Sequence, residues 1–520
     1  MKGLSKQGIV KAAGVNSIAR LLVSVLGFAQ LIVLAKIFGL GTEIDALLIA
    51  QTLPLLFVIM GETVLSWSFL PIFVEQMEKR GEEDAWNFAN KFFTILTLLL
   101  FCLTVLVFVF AAQITYLLAP GMSPEGRVLA TLMLRIMSPV ILLSASASLP
   151  ATIFNSYQNF TVPALVSLVF GSSVLVFILA LSDGLGIISA AIGVLAGLLL
   201  QCIILHAILY RNNRRFSFSI DLKDKSVRKT AKLMGPRFMG LSLNRFDVMV
   251  DRLFASTIGM GYISALAYAD KLVMLFCGLL PLALGKSMMP IMSRLSATGN
   301  FAEIKRLFNK SMGMLAFFFL PVTGGLIVLC EPIVDILFKR GAFDDNASAI
   351  TSTAIIFYSI GLMAFSFNIL INGVFYSMQD TLTPIKANVL GSVLNIILDI
   401  LLIRVFSYAG LALATSIIAF VKSLVLHRLL TKKIGSLGAR HLLNTLMRVG
   451  TGTLVMVAVM WGVKDYTALA FSQFPAYGQL FGLVLLIFIG LVTYLFSCKV
   501  LRVQELSDIA GMLRLRFQRI

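Results

Sequence analysis

The segment Phe154-Asn-Ser-Tyr-Gln-Asn-Phe-Thr-Val-Pro163 returns as Phe375-Tyr-Ser-Met-Gln-Asp-Thr-Leu-Thr-Pro384, a step of 221 residues. Phe, Ser, Gln and Pro keep their places, and Asn159 becomes Asp380. Other marks recur at nearly the same step: Gly39-Leu-Gly41 as Gly259-Met-Gly261, Leu70-Pro71-Ile72 as Met289-Pro290-Ile291, and Gly121 as Gly341. Stacked-repeat proteins have periods of roughly 20–50 residues, so this step is half a protein, not a solenoid unit. In a hydrophobic chain, two related halves point to a transporter whose substrate sits between them.

The chain is hydrophobic enough for that reading. Of its 520 residues 58% are apolar and 13% charged, with a mean hydropathy of +0.94. A soluble domain carries about 25% charged residues. Apolar runs of about 20 residues, the length that crosses a bilayer, follow one another from 16–38 to 478–500, and fourteen are expected. Basic residues crowd alternate loops, with Arg211, Arg214, Arg215, Lys223, Lys225, Arg228 and Lys229 between spans 6 and 7. The positive-inside rule then places both termini in the cytoplasm. The expected fold is an all-α polytopic membrane protein with 14 transmembrane helices: two parallel six-helix lobes plus two C-terminal helices. The N-lobe covers 1–210, a basic cytoplasmic linker 211–229, the C-lobe 230–431, and the last two spans and tail 432–520. Because each half has an even number of spans, the halves insert in the same orientation.

Several function classes are excluded. The net charge of +18 follows from this topology and from contact with anionic lipid; no aromatic-basic motif accompanies it, so nucleic acid is not expected. No nucleophile–base arrangement or catalytic carboxylate pair stands out, and no enzyme is expected. The paired glycines Gly39/Gly41 and Gly259/Gly261 lack the strand and third glycine of a nucleotide loop, and read as tight interhelical turns. The duplicated Gln-[Asn/Asp]-x-x-x-Pro reads likewise as a turn, with Asn or Asp starting it and Pro in the first turn of the next helix.

Ionisable groups inside spans cost a few kcal/mol each and usually face a cavity. The first half offers Arg20, Asp45 and Glu62. The second offers Arg237, Arg245, Asp247, Asp251 and Arg252 in span 7, then Asp270, Lys271 and Lys286 in span 8. Lys271 and Lys286 stand about four turns apart, and Arg237 and Arg245 eight residues apart, so each pair shares a helix face. Basic groups on two adjacent helices suit an anionic substrate, especially a diphosphate. A second set is oxygen-rich: Asn395 and Asp399 at i and i+4 on span 11, Asp251 on span 7 and Thr415 on span 12. Such groups suit a small hard cation.

These residues resemble a known family. Phe38-Gly-Leu-Gly41, Asp45-Ala46, Leu53-Pro54 and Glu62-x-x-x-Ser66-x-x-Phe69-x-Pro71 look like the first spans of the MurJ (MviN) lipid II flippases, in the multidrug/oligosaccharidyl-lipid/polysaccharide exporter superfamily. Ala119-Pro120-Gly121, Met234-Gly-Pro236, Phe254-Ala-Ser256, Tyr268-Ala-Asp270 and Gln379-Asp-x-x-Thr-Pro384 continue the likeness over nearly the whole chain. The resemblance implies flipping of an undecaprenyl-diphosphate-linked peptidoglycan precursor across the inner membrane by alternating access, with two extra helices forming a groove for the lipid tail. It implies substrate-binding roles for Asp45, Glu62, Asp270 and Lys271, and Arg20, Arg237, Arg245 and Lys286 are expected to bind substrate in place of arginines the family carries elsewhere. It also implies a possible sodium ion at Asp251, Asn395, Asp399, the Leu411 carbonyl and Thr415, no other cofactor, and a monomer among membrane lipids. The family's span 1 arginines fall here on Ser24 and Gln30, and a span 2 arginine on Phe57 or Val58. A flippase for another lipid-linked oligosaccharide, a cation-coupled drug exporter and a non-transporting scaffold stand as alternatives.

Overall fold

The computed structural model of the chain describes residues 6–437, 439–471, 478–508 and 511. Among them it shows seventeen helices of eight residues or more and no strand. The first repeat comprises α1 (Lys6–Phe38), α2 (Thr42–Arg80), α3 (Glu82–Val109), the short α4 (Ala111–Leu118), α5 (Pro124–Met137) and α6 (Pro139–Ser156) in succession, α7 (Thr161–Leu185) and α8 (Ile188–Arg211). The second comprises α9 (Lys225–Ile258), α10 (Tyr262–Ala297), α11 (Phe301–Phe338), α12 (Asp345–Ile360) and α13 (Leu362–Ser377), α14 (Leu382–Phe406) and α15 (Tyr408–Ile434); α16 (Ala439–Phe471) and α17 (Gly478–Val500) follow.

Among the described residues eleven helices, with α5 and α6 taken as one, are long and apolar enough to cross a membrane, or twelve if α12 and α13, bent by 43° at their junction, also count as one. The two expected spans that fall outside this class are α9 and α10. At 34 and 36 residues both are long enough; in α9 the charges Arg237, Arg245, Asp247, Asp251 and Arg252 interrupt the apolar run. Large apolar side chains on α3 and α17, such as Leu99, Phe101, Val109 and Phe488, are exposed, as a lipid-facing surface requires.

Contacts divide the chain into two compact units: Met1–Ser264 with Arg340–Phe343, and Ala265–Lys339 with Asp344–Ile520. The units do not coincide with the repeats, because α9, the first helix of the second repeat, packs along α2 and belongs to the first unit. The first unit holds a stack of Phe69, Phe73, Phe88 and Phe92, with Phe69 ring centroids 5.5, 5.1 and 5.2 Å from the other three. In the second unit α11, α16 and α17 share a core around Phe317, Val449, Met456 and Leu486.

The duplicated motif is one turn built twice. In the first copy Gln158 takes φ 60°, the Asn159 N–H donates to Phe154 O (2.9 Å) and the Gln158 N–H to Asn155 O (3.0 Å). That is the 6→1, 5→2 pattern that closes a helix end. Asn159 Oδ1 then accepts from the Val162 N–H (3.3 Å), which starts α7. In the second copy Gln379 also has φ 60°, Asp380 N–H bonds Phe375 O (3.0 Å), and Asp380 Oδ1 accepts from Thr383 N–H (3.0 Å). Pro163 and Pro384 are the third residues of α7 and α14, where a missing N–H leaves no intrahelical bond unmade. A further pair at the same step has no sequence identity: Gly186 (φ 55°) and Ser407 (φ 53°) make the α7–α8 and α14–α15 turns with the same bonds.

The two copies differ in charge. Asp380 also binds Lys433 Nζ (2.6 Å) and Thr383 Oγ1 (2.8 Å). Partial burial would raise the Asp380 carboxyl, but the bonds from Lys433 and Thr383 outweigh it and hold the carboxyl down at about 2, below its ordinary 3.8. A depressed folded value stabilises above the unfolded value and is lost as pH falls through the folded one. Asp380→Asn, which gives the second turn the cap of the first, is expected to lower the melting temperature at pH 7. That deficit should shrink between pH 5 and pH 2 in a melting series; a deficit independent of pH would show that the ion pair does not contribute.

Pro321 lies inside α11 and has no N–H, so the Phe317 carbonyl four residues earlier loses its helical donor. The Tyr494 hydroxyl of α17 supplies one, donating to Phe317 O at 2.6 Å. Tyr494→Phe keeps the ring and leaves that carbonyl orphaned, so a loss of about 1–3 kcal/mol in unfolding free energy is expected. Pro321→Ala in the Tyr494→Phe background returns an N–H and should recover most of it; additive losses would refute the pairing.

Candidate functional site

The charged helix α9 begins at Asp224, whose side chain accepts from the N–H groups of Ser226 (2.8 Å) and Val227 (3.2 Å). It then runs antiparallel to α2 with a polar contact at nearly every second turn. Ser226 Oγ accepts from Gln76 Nε2 (2.8 Å), and Lys229 pairs with Glu75 (2.7 Å). Arg237 donates to the Trp67 carbonyl and to Ser68 Oγ (3.1 Å). Ser242 Oγ lies 3.9 Å from Met60 Sδ, and Arg252 donates to the Leu48 carbonyl (2.6 Å) and to Thr52 Oγ1. The Phe57 and Phe238 rings meet at 5.9 Å. A helix with this many cations is held in an apolar setting because its partner presents carbonyls and hydroxyls to them.

At the far end of this pair Asp45, only 3% exposed in the first turn of α2, accepts from the N–H groups of Gly261 (2.7 Å) and Ser264 (2.8 Å). These are the unpaired donors at the start of α10, so Asp45 caps that helix from a distance in sequence of more than two hundred residues. Beside it, Gly39 (φ +63°) faces the Ala342 carbonyl and Gly341 (φ +63°) faces the Lys36 carbonyl, while Ala342 N–H donates to Lys36 O at 2.9 Å. Gly39 and Gly41 lie in the turn between α1 and α2, and Gly259 and Gly261 in the turn between α9 and α10, as their spacing suggests.

The remaining candidates separate by commitment. Arg245 and Lys271 are exposed, and neither makes a hydrogen bond or ion pair with another described residue. Glu62 is exposed; Asp251 and Asp270 are half-buried. The side chains of Arg20 and Lys286 lie outside the described residues. In the second unit Asn395 and Asp399 are 3% and 0% exposed, and Asn395 Nδ2 donates to Asp399 Oδ2 at 2.9 Å, as the i, i+4 spacing predicts. The Leu411 carbonyl accepts from Thr415 Oγ1 at 3.0 Å. Asp251 belongs to the first unit and these four to the second. No group of three or more His, Cys, Asp and Glu suited to a metal occurs among the described residues.

Two positions at which the family resemblance places an arginine are taken up by packing. Gln30 Nε2 donates to the Gly171 carbonyl of α7 (2.5 Å), and Phe57 stacks on α9. The grip of Arg252 on α2 and the capping role of Asp45 were not legible in sequence. For Arg237 a signal was available in Pro71, since a proline inside a span leaves the carbonyl four residues earlier in need of a donor.

Comparison with known proteins agrees with this architecture. The family model described as Lipid II flippase MurJ matches residues 34–480. A probable lipid II flippase MurJ of Buchnera aphidicola subsp. Acyrthosiphon pisum is 29% identical over 501 residues, covering 94% of this chain and 97% of the relative. One from Buchnera aphidicola subsp. Schizaphis graminum is 31% identical, covering 82% and 84%. Among solved structures, a lipid II flippase MurJ in an inward closed conformation superposes with TM-score 0.78 at 27% identity, covering 93% of this chain and 98% of that one. An inward-facing multidrug resistance MATE family transporter of the MOP superfamily gives TM-score 0.69 at 14% identity, a likeness of fold alone.

Proposed function

Since the chain belongs to the lipid II flippase MurJ family, we propose that it moves undecaprenyl-diphosphate-linked peptidoglycan precursor from the inner to the outer leaflet of the bacterial inner membrane. It is a transporter, not an enzyme. The family match over 34–480 carries this reading. With α9 and α10 counted as spans, the twelve apolar crossings become fourteen, and the positive-inside rule puts both termini in the cytoplasm. The proposed diphosphate ligands are the uncommitted cations Arg245 and Lys271, joined by Arg20, Arg237 and Lys286, with Glu62 and Asp270 tuning the field. The lobes alternate in exposing the bound headgroup. A sodium ion held by Asn395, Asp399, the Leu411 carbonyl and Thr415 would bias that cycle; the buried amide–carboxylate pair supports it. The chain acts as a monomer.

A second reading, a flippase for another undecaprenyl-diphosphate-linked saccharide, is favoured by one observation: Gln30 and Phe57 occupy expected arginine positions and serve packing. Expression in cells depleted of their own lipid II flippase separates the two. Growth is expected, and proteoliposomes should flip lipid II. A membrane-inserted protein that neither rescues growth nor flips lipid II, yet flips another such saccharide, would overturn the first reading in favour of the second.

A further inference from the structure

Proline takes away the donor for the carbonyl four residues before it. In a membrane an unpaired carbonyl costs several kcal/mol, so another group must supply the donor. Two of these released carbonyls are answered across helices in this chain, by different chemistry. In the second unit, Pro321 releases Phe317 O, and the neutral Tyr494 hydroxyl takes it. In the first unit, Pro71 inside α2 releases Trp67 O, and the Arg237 guanidinium of α9 takes it together with Ser68 Oγ.

The difference in chemistry separates a fixed joint from an exchangeable one. Tyr494 is 3% exposed and uncharged, so nothing in solution competes for its hydroxyl. Arg237 is exposed while it holds the carbonyl. Its five donors exceed what a carbonyl and a hydroxyl take up, and a guanidinium binds a phosphate oxygen far more strongly than a neutral carbonyl. We propose that Arg237 is a load-sensitive latch. In the resting state it locks α9 onto α2 at the Pro71 break, and an arriving diphosphate draws it off the Trp67 carbonyl, freeing the two helices to part. Arg237 is then a positioning residue whose bond to α2 is exchanged for one to substrate. Part of the binding energy of the headgroup goes into conformational change, and a lipid without the diphosphate leaves the latch closed. This inference rests on the flippase reading above.

The test follows the closeness of α2 and α9 through a Met60→Cys/Ser242→Cys pair, at positions whose side chains stand 3.9 Å apart, with the five native cysteines replaced. Disulfide formation after addition of copper–phenanthroline as oxidant is timed in proteoliposomes with undecaprenyl diphosphate or with undecaprenol. Diphosphate is expected to slow cross-linking about fivefold or more, the lower range of coupling between two sites, and undecaprenol to leave it unchanged. In Arg237→Ala the response should vanish. In Pro71→Ala, where Trp67 O regains a helical donor, it should shrink, and Arg237→Lys should retain part of it. Melting temperatures identify any variant that fails to fold, and Pro71→Ala and Arg237→Lys then carry the result. An equal response in Arg237→Ala, an unchanged one in Pro71→Ala, or none in the parent would overturn the latch. Lipid II flipping by the parent is measured separately, so loss of the flippase reading shows as absent flipping whatever the cross-linking does.

Discussion

Asp45→Ala is expected to lower the unfolding free energy by about 3–5 kcal/mol, because it removes two charge-assisted hydrogen bonds from a buried site and leaves both backbone donors unpaired. Asp45 is 3% exposed and both of its oxygens are in use, one by Gly261 N–H and one by Ser264 N–H. Asp45→Asn keeps one accepting oxygen and should lose roughly half as much. Thermal unfolding in detergent, followed by light scattering, checks this. The result also separates two roles. A residue that only bound substrate would lose transport on substitution with its melting temperature intact, so an unshifted Asp45→Ala would sink the capping account.

Gly341→Ala comes second, with an expected loss of about 2–5 kcal/mol. A left-handed backbone costs a side chain about 1–2 kcal/mol, and forcing a methyl into a filled space about 1–3 more. Gly341 has φ +63°, and a Cβ there would overlap the Lys36 carbonyl that receives the Ala342 N–H. Gly39→Ala meets the Ala342 carbonyl from the other side. Because both substitutions break one shared contact, the double variant should lose less than the two single losses combined. Full additivity in melting experiments would mean that the two glycines act separately.

Much of the scaffold was legible because it depends on local rules. The turn at Gln158–Asn159 and its copy at Gln379–Asp380 needed only a left-handed residue, a cap and a tolerant place for proline, all within ten residues. The Asn395–Asp399 pair needed only helical spacing. What stayed hidden depends on contacts hundreds of residues apart. Asp45 was readable as an acid inside a span, and so as a candidate ligand; that its partners are two amides at the start of α10 is a tertiary fact. Gly39 and Gly341 were marks in different repeats, and nothing in either neighbourhood says they meet. The same holds for α9: the repeat places it at the head of the second half, and its packing along α2 is a tertiary fact. The Gly186–Ser407 equivalence escaped because the two turns share a conformation and no identity.

The contacts along the α2–α9 pair are unequal in their exposure to solvent. Toward one end stands Lys229 with Glu75, side chains 55% and 37% exposed, a surface ion pair open to solvent. At the other stands the buried Asp45 cap. The exposed Lys229–Glu75 pair is the contact that dissolved salt screens, and the buried Asp45 cap is the one it does not reach.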